Sequence, residues 1–257
     1  MKKVFFLSDA HLGSLAIEHG RTQERRLVNF LDKIKHQADA IYLLGDMFDF
    51  WYEFKTVVPK GYTRFLGKLS ELTDMGVEVH FFTGNHDMWT FGWLQKQTGV
   101  RVHRKPEVLT INGKRCMLAH GDGLVPSDIM KRYPKEIQRK LRRFIWLQRV
   151  FRNPVLQQLF RLVPPAWGDR LGYGWAKRSR EKELAHPCGY KGENEEELVL
   201  FAKEHEKTEH LDYYIFGHRH IELDLQLATD ARVIILGDMF KLFTYAAMNE
   251  KGEVIIN

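Results

Sequence analysis

Five apolar runs along this chain each stop abruptly at a short polar cluster. Val4-Phe5-Phe6-Leu7 meets Ser8-Asp9-Ala10-His11, and Ala40-Ile41-Tyr42-Leu43-Leu44 meets Gly45-Asp46-Met47-Phe48-Asp49. Residues 77–82 meet Gly84-Asn85-His86-Asp87, Cys116-Met117-Leu118-Ala119 meets His120-Gly121-Asp122, and Tyr213-Tyr214-Ile215-Phe216 meets Gly217-His218-Arg219-His220. Runs of this length bounded by turn residues predict buried strands that empty into loops. Between the first two runs, residues 22–37 place Leu27, Phe30, Leu31 and Ile34 at i, i+3, i+4 and i+7, which predicts a helix. A strand, helix and strand in succession imply parallel strands with a right-handed crossover. A second helix over 62–75 turns Phe65, Leu66, Leu69 and Leu72 inward and ends at Gly76, a natural C′ residue.

The pattern then turns antiparallel. Asn112-Gly113 between Val108–Ile111 and Lys114–Ala119 is a hairpin signal, and Asn249-Glu250-Lys251-Gly252 repeats the device near the C-terminus. Asn194 reads as an N-cap with Glu197 at the third position of a capping box, leading into Leu198, Phe201 and Ala202. The predicted class is α/β (α+β), with two mixed sheets packed face to face and helices outside. Residues 125–193 break this grammar. Ile137, Leu141, Phe144 and Ile145 share a helical face crowded by Arg139, Lys140, Arg142 and Arg143. Pro154 restarts a helix bearing Leu156, Leu159, Phe160 and Val163, and Pro164-Pro165 ends it. The expected division is a core formed by 1–124 and 194–257, with 125–193 an inserted helical cap.

Charge sharpens that division. The formal net charge is +6, yet Lys131 to Lys182 holds 15 Lys/Arg against 3 acids, a net of +12, leaving −6 for the remainder. No apolar run is long enough to span a bilayer. The run after Met1-Lys2-Lys3 ends at Ser8-Asp9, too early for an export signal. Two cysteines, Cys116 and Cys188, give no disulfide framework. The expectation is a protein of the reducing cytoplasm.

The five loops together carry Asp9, His11, Asp46, Asn85, His120, His218 and His220: four imidazoles, two carboxylates and an amide oxygen. In open α/β sheets ligands collect beyond the carboxyl ends of strands. Seven such donors exceed the needs of one ion but suit two octahedral ions sharing Asp46. Mixed N/O ligation without thiolate points to Mn, Fe or Zn rather than Ca or a thiolate-held structural zinc, and Mn is the expected metal. Two ions about 3.5–4 Å apart clamp the attacking and leaving oxygens of a phosphoryl displacement and make hydroxide at neutral pH.

Asp9-x-His11, Gly45-Asp46-x-x-Asp49, Gly84-Asn85-His86-Asp87, His120-Gly121-Asp122 and Gly217-His218-Arg219-His220 resemble, in order, the five motifs of the calcineurin-like metallophosphoesterases. The resemblance implies a four-layer α/β/β/α sandwich. It implies that Asp9, His11 and His220 hold one metal, that Asn85, His120 and His218 hold the other, and that Asp46 bridges them. It makes His86 the acid for the leaving oxygen, with Asp87 orienting it. Within that superfamily the chain is similar to the UDP-2,3-diacylglucosamine pyrophosphatases of lipid A synthesis. The similarity rests on Leu44-Gly45-Asp46-Met47-Phe48-Asp49-Phe50-Trp51, on the helical insert, and on Leu236-Gly237-Asp238. It implies hydrolysis of a nucleotide-linked acylated sugar to UMP and 2,3-diacylglucosamine 1-phosphate, by metal-bridging hydroxide. The implied substrate contacts are Asn85, His86, Asp128, Ser179, Lys182 and His218. The chain departs from that family in having His86 where its best-known members have Arg, and Ser179 and Lys182 align poorly.

Apolar helical faces beside dense positive charge suit an amphipathic ligand and peripheral contact with an anionic inner leaflet. The plainer reading is that Phe144, Trp146, Phe151 and Phe160 pack the insert's own core. A nucleotide phosphodiesterase or nuclease is the alternative activity, its cations gripping phosphates. Because bulky aliphatics outnumber stacking platforms there, no nucleic acid is expected as partner. A non-catalytic scaffold would be expected to have lost ligands, and none is missing.

Overall fold

The computed structural model describes residues 2–14, 20–185 and 189–257, apart from the side chains of Ser127, Arg132, Ser179, Arg180 and residues 182–185. In chain order the first elements are β1 (Lys3–Leu7), α1 (Gly20–Ile34), β2 (Ala38–Leu44), α2 (Thr63–Asp74), β3 (Glu78–Phe82), α3 (Trp93–Thr98) and β4 (Arg101–His103). The hairpin β5 (Glu107–Ile111) and β6 (Lys114–Ala119) follows, then α4 (Ser127–Arg132), α5 (Lys135–Phe151), α6 (Pro154–Phe160) and α7 (Pro165–Ala185). The chain closes with α8 (Glu197–His205), β7 (Tyr213–Phe216), β8 (Glu222–Gln226), β9 (Arg232–Leu236), β10 (Ala246–Met248) and β11 (Val254–Ile256).

One sheet has the order β11-β10-β1-β2-β3-β4 and the other β5-β6-β7-β9-β8. The expected parallel crossovers are present: Phe5 pairs with Ile41, and Ile41 with Val79. Both sheets are mixed, since β1 pairs antiparallel with β10 and β5 with β6. Period-2 alternation sorts side chains into layers. Phe5, Leu7, Ile41, Leu43 and Phe81 pack on Leu27 and Leu31 of α1 and on Phe65 and Leu69 of α2. Val4, Phe6, Tyr42, Leu44 and Phe82 face the second sheet and meet Cys116, Leu118, Ile215 and Ile234. The outer face of that sheet, Met117, Ala119, Tyr214, Phe216, Val233 and Ile235, packs on Leu198, Val199 and Ala202 of α8. The layers therefore run helix, sheet, sheet, helix. Because both faces of each sheet are covered at its centre, β1, β2, β6 and β7 each carry an unbroken apolar run of four or more residues. Cys116 is a buried free thiol, and Cys188 lies outside the described residues.

The capping box expected at Asn194 is not formed. The N-cap of α8 is Glu196, whose side chain makes no capping bond and instead pairs with Arg219 at 2.6 and 3.1 Å. A buried carboxylate finds more in a bidentate guanidinium than in one helix terminus.

The basic insert holds a helix that the sequence reading passed over. Gly168, Gly172 and Gly174 look like breakers, yet all lie within the 21-residue α7. Two of them are packing positions: a Cβ on Gly168 would press on the Phe54 ring, and one on Gly172 would overlap the Phe50 ring. Glycine here sacrifices helix propensity for close approach of α7 to the loop after β2. Gly172→Ala is therefore expected to lower stability by about 1–3 kcal/mol through overpacking. In an exposed helix interior the same change would gain about 1 kcal/mol. Chemical denaturation of both proteins checks the sign.

The plainer expectation for the insert's aromatics does not hold. Phe160 packs on Tyr52 and Trp89, with ring centroids 5.1 and 4.8 Å apart, and Phe151 lies 5.9 Å from Trp89. Phe144 and Trp146 are exposed. These side chains face the rest of the protein or solvent instead of a private core. At the other end, Arg152, the C-cap of α5, grips Asp122 with two bonds of 2.8 and 3.0 Å, and Gln148 adds a third at 2.9 Å. Among the described residues no helix is long and apolar enough to cross a membrane.

Candidate metal centre and its flanking pockets

All seven predicted donors lie in loops that leave β1, β2, β3, β6 and β7, and the fold gathers most of them by direct contact. His220 Nε2 is 3.0 Å from Asp9 Oδ1 and 3.2 Å from His11 Nε2. His120 Nε2 lies 3.2 Å from Asn85 Oδ1 and 3.3 Å from Asp46 Oδ2. The His218 ring stands edge-on to His120 at 5.0 Å. Asp46 also approaches His11 Nε2 at 3.7 Å, so its carboxylate sits between the two groups.

Backbone conformation aims these side chains. Asp9, His11, Asp46, His218 and His220 all have positive φ, between 44° and 68°. Non-glycine residues seldom adopt this region, and holding them there costs of order 1 kcal/mol or more each. Cross-loop bonds enforce it: His11 N donates to the Asp46 carbonyl at 2.9 Å, and His218 N donates to Asp9 Oδ2 at 2.8 Å. The ligand loops also approach so closely that a Cβ on Gly84 would collide with the Asp46 carboxylate, and one on Gly217 with Ser8 and Asp9.

Electrostatics fit a cation. Burial opposes ionisation of Asp9 and Asp46, but facing histidines hold both well below the usual carboxylate range, His220 foremost for Asp9 and His120 for Asp46. Burial opposes a charge on His120 too, yet Asp46 and then Asp9 raise it to about 10. Burial, reinforced by His120, depresses His218 to about 4. Without metal, then, a buried imidazole is drawn into protonation to balance two buried carboxylates. A divalent ion supplies that balance directly, and the donor chemistry suits it. Asp9, His11 and His220 present ligand atoms within 4.8 Å of one another, as do Asp9, Asp46 and His120, and also His11, Asp46 and His86.

His86 is buried, and its Nδ1 lies 2.7 Å from the Asp49 carbonyl. A carbonyl only accepts, so Nδ1 donates and Nε2 is the other working nitrogen. This corrects the expected role of Asp87. Its carboxylate accepts Gly84 N at 2.7 Å and Met47 N at 2.8 Å, tying two ligand loops together, while Asp49 orients the His86 ring. Burial and the Asp46 charge push the Asp87 carboxyl up to about 7.

Of the other expected contacts, Asp128 is exposed in the first turn of α4 and pairs with Lys131 at 2.7 Å. Ser179 and Lys182 fall on α7, but their side chains lie outside the described residues. Two neighbours escaped the sequence reading. The Trp175 ring of α7 lies 4.9 Å from His86. Phe240 stands edge-on to His11 and His220 at 6.0 and 5.5 Å. Its loop is held by Asp238, which accepts the N–H groups of Phe240, Lys241 and Leu242. An Asp two residues before an aromatic was the available signal.

Two pockets flank the centre. One, of about 230 Å³, is apolar and lined by Phe50, Met88, Phe151, Phe160, Leu171 and Trp175 as well as Asn85 and His86. The other, of about 250 Å³, runs past Thr83, His120 and Asp122 and carries Arg104, Lys105, Arg149 and Arg152.

The family model for the calcineurin-like phosphoesterases, whose members use divalent metals, matches residues 2–222. A protein of Porphyromonas gingivalis named UDP-2,3-diacylglucosamine hydrolase is 43% identical over 255 residues, covering 95% of this chain and 93% of that one. A protein of the same name from Nitrosococcus oceani is 31% identical over 161 residues, 61% of this chain and 62% of that one. The solved structure of a dimetal phosphatase from Danio rerio aligns over 100% of this chain and 95% of its own, at 13% identity and a TM-score of 0.43. By the extent of the family match and the identity to its relatives, this chain belongs to the calcineurin-like phosphoesterases and is a metal-dependent hydrolase of phosphoester or phosphoanhydride bonds.

Proposed function

We propose that the chain hydrolyses UDP-2,3-diacylglucosamine, breaking its pyrophosphate to release UMP and 2,3-diacylglucosamine 1-phosphate. The observation that carries this reading is adjacency: Asn85 and His86 of the polar centre also line an apolar pocket closed by α6 and α7. A site for small phosphate esters has no need of that wall, whereas an acylated sugar phosphate does. The hydrolase name of the relative that is 43% identical supports the same substrate.

In this reading Asp9, His11 and His220 would hold one divalent ion and Asn85, His120 and His218 the other, with Asp46 shared by the two groups, Mn²⁺ being the proposed metal and Fe or Zn the alternatives. Such a pair supplies Lewis-acid polarisation of the phosphoryl oxygens and a nucleophile at neutral pH. The protein fixes the rest. Asp49 holds His86 so that Nε2 of its charged form delivers a proton to the leaving oxygen. Trp175, Phe151 and Phe160 exclude water from the acyl side, and Asn85 and His218 orient the phosphate.

The helices 125–193 serve here as the cap that seats the acyl chains. Binding should strengthen with acyl length by up to about 0.8 kcal/mol per buried methylene. Phe160→Ser should then raise KM for the diacyl substrate while a small phosphodiester turns over nearly as before. Equal loss on both substrates would count against the acyl seat.

Trp146, Leu159 and Trp167 on the same basic helices, and Leu162 in the turn between α6 and α7, expose apolar surface. This supports peripheral contact with the anionic inner leaflet, where each nearby Lys or Arg contributes about 1 kcal/mol. Sedimentation with phosphatidylglycerol vesicles should carry the protein down at low salt, and Leu162→Glu with Trp167→Glu should release it. Vesicle binding untouched by the double change would remove these residues from the contact.

A further inference from the structure

The two pockets differ in polarity as sharply as the nucleotide and acyl portions of the proposed substrate. No Lys, Arg, Asp or Glu lines the apolar one. The other carries four cations, Arg104, Lys105, Arg149 and Arg152, against the single carboxylate of Asp122, a local balance of 4 − 1 = +3. Arg152 is committed to Asp122. Arg104 donates to the Thr90 carbonyl, which leaves its charge uncompensated by that contact. Lys105 and Arg149 are exposed, one after β4 and one on α5.

One pair of donor side chains links the two pockets. His120 lines the cationic pocket and Asn85 the apolar one, and Nε2 of the first is 3.2 Å from Oδ1 of the second. Both residues belong to the donor set of the centre. A molecule lying across that pair therefore has its middle at the reacting position and one end in each pocket.

We propose that the cationic pocket is the seat of the nucleoside monophosphate end of the substrate, with Lys105 and Arg149 as its charge-recognising residues. This rests on the hydrolase reading above. A diphosphate joining a nucleoside to a diacylated sugar fits the two pockets in one direction only. Reversal would place acyl chains among solvated cations and the polar base and ribose against Phe151 and Leu171, desolvating polar groups at one end and forfeiting apolar burial at the other. Arg152 shapes the wall through Asp122, while Lys105 and Arg149 meet the ligand, since exposed side chains on separate elements can close on an anion from two sides.

The test is calorimetric titration of the Mn²⁺-loaded full chain with UMP, and separately with 2,3-diacylglucosamine 1-phosphate, at fixed ionic strength. Lys105→Glu and Arg149→Glu are surface changes that the fold should tolerate. Each is expected to weaken UMP by about tenfold or more, the worth of one charge-assisted contact, and to leave the lipid product within about twofold. UMP affinity that is unchanged in both variants, or absent from the wild-type protein, overturns the assignment. So does an equal loss for the two ligands, which would mark a diffuse field instead of a seat. The activity is read separately, by UMP release from UDP-2,3-diacylglucosamine. A wild-type protein that binds UMP through these residues but releases none from that lipid would refute the hydrolase reading and leave the pocket standing.

Discussion

Asp46→Ala is expected to abolish hydrolysis and to leave the purified protein with far less than two metal ions per chain. Asp46 stands between the two groups of donors, 3.3 Å from His120 and 3.7 Å from His11, and its Oδ1 accepts His86 N at 2.8 Å. Removing it takes away the carboxylate that both ions would share and the acceptor that fixes the Gly84–Asp87 loop. The loss in turnover should exceed the roughly 10²–10³-fold cost of deleting a single oxyanion donor. Elemental analysis and an Mn²⁺ titration monitor the metal directly, and circular dichroism checks that the fold survives. Two ions retained with near-normal turnover would refute the bridging role.

His86→Ala should behave differently. Metal content should hold while turnover of the diphosphate falls by about 10²–10⁴-fold, the usual contribution of one general acid. The fall should shrink for a nitrophenyl phosphodiester, whose leaving group needs no proton. Equal losses on both substrates would assign His86 to positioning phosphate. The Asp49 carbonyl at 2.7 Å fixes Nδ1 as a donor in either case, so the two substrates, and not the ring's orientation, decide between the roles.

The centre was legible in the sequence because burial on both faces makes the ends of β1, β2, β3, β6 and β7 that lead into the ligand loops apolar. Their ends are then unmistakable, and the ligands sit at those ends. What escaped had weaker local signals. The edge strand β8, Glu222–Gln226, alternates with exposed positions and has no apolar run. The three residues of β4 carry two charged or titratable side chains and gain their place only from pairing with β3. Helix α7 hid because Gly168 and Gly172 answer to Phe54 and Phe50, residues more than a hundred positions earlier. Asn194 is a sound cap by local rules, overridden by a long-range pair between Glu196 and Arg219. The role of Asp87 was misread for a related reason: its partners are backbone groups, which no residue pattern displays.

The left-handed backbones of Asp9, His11, Asp46, His218 and His220 bear on the order in which this protein is assembled. Those conformations are disfavoured in a free chain and exist only once bonds such as Met239 N to the Asp9 carbonyl bring distant segments together. The donors span positions 9 to 220, so an unfolded chain offers a metal no more than scattered pairs. Folding must come first and loading second. Metal then stabilises the finished fold by mass action instead of templating it. Chelation should accordingly yield a refillable apoprotein, and a cell short of the metal should accumulate enzyme that is intact and idle.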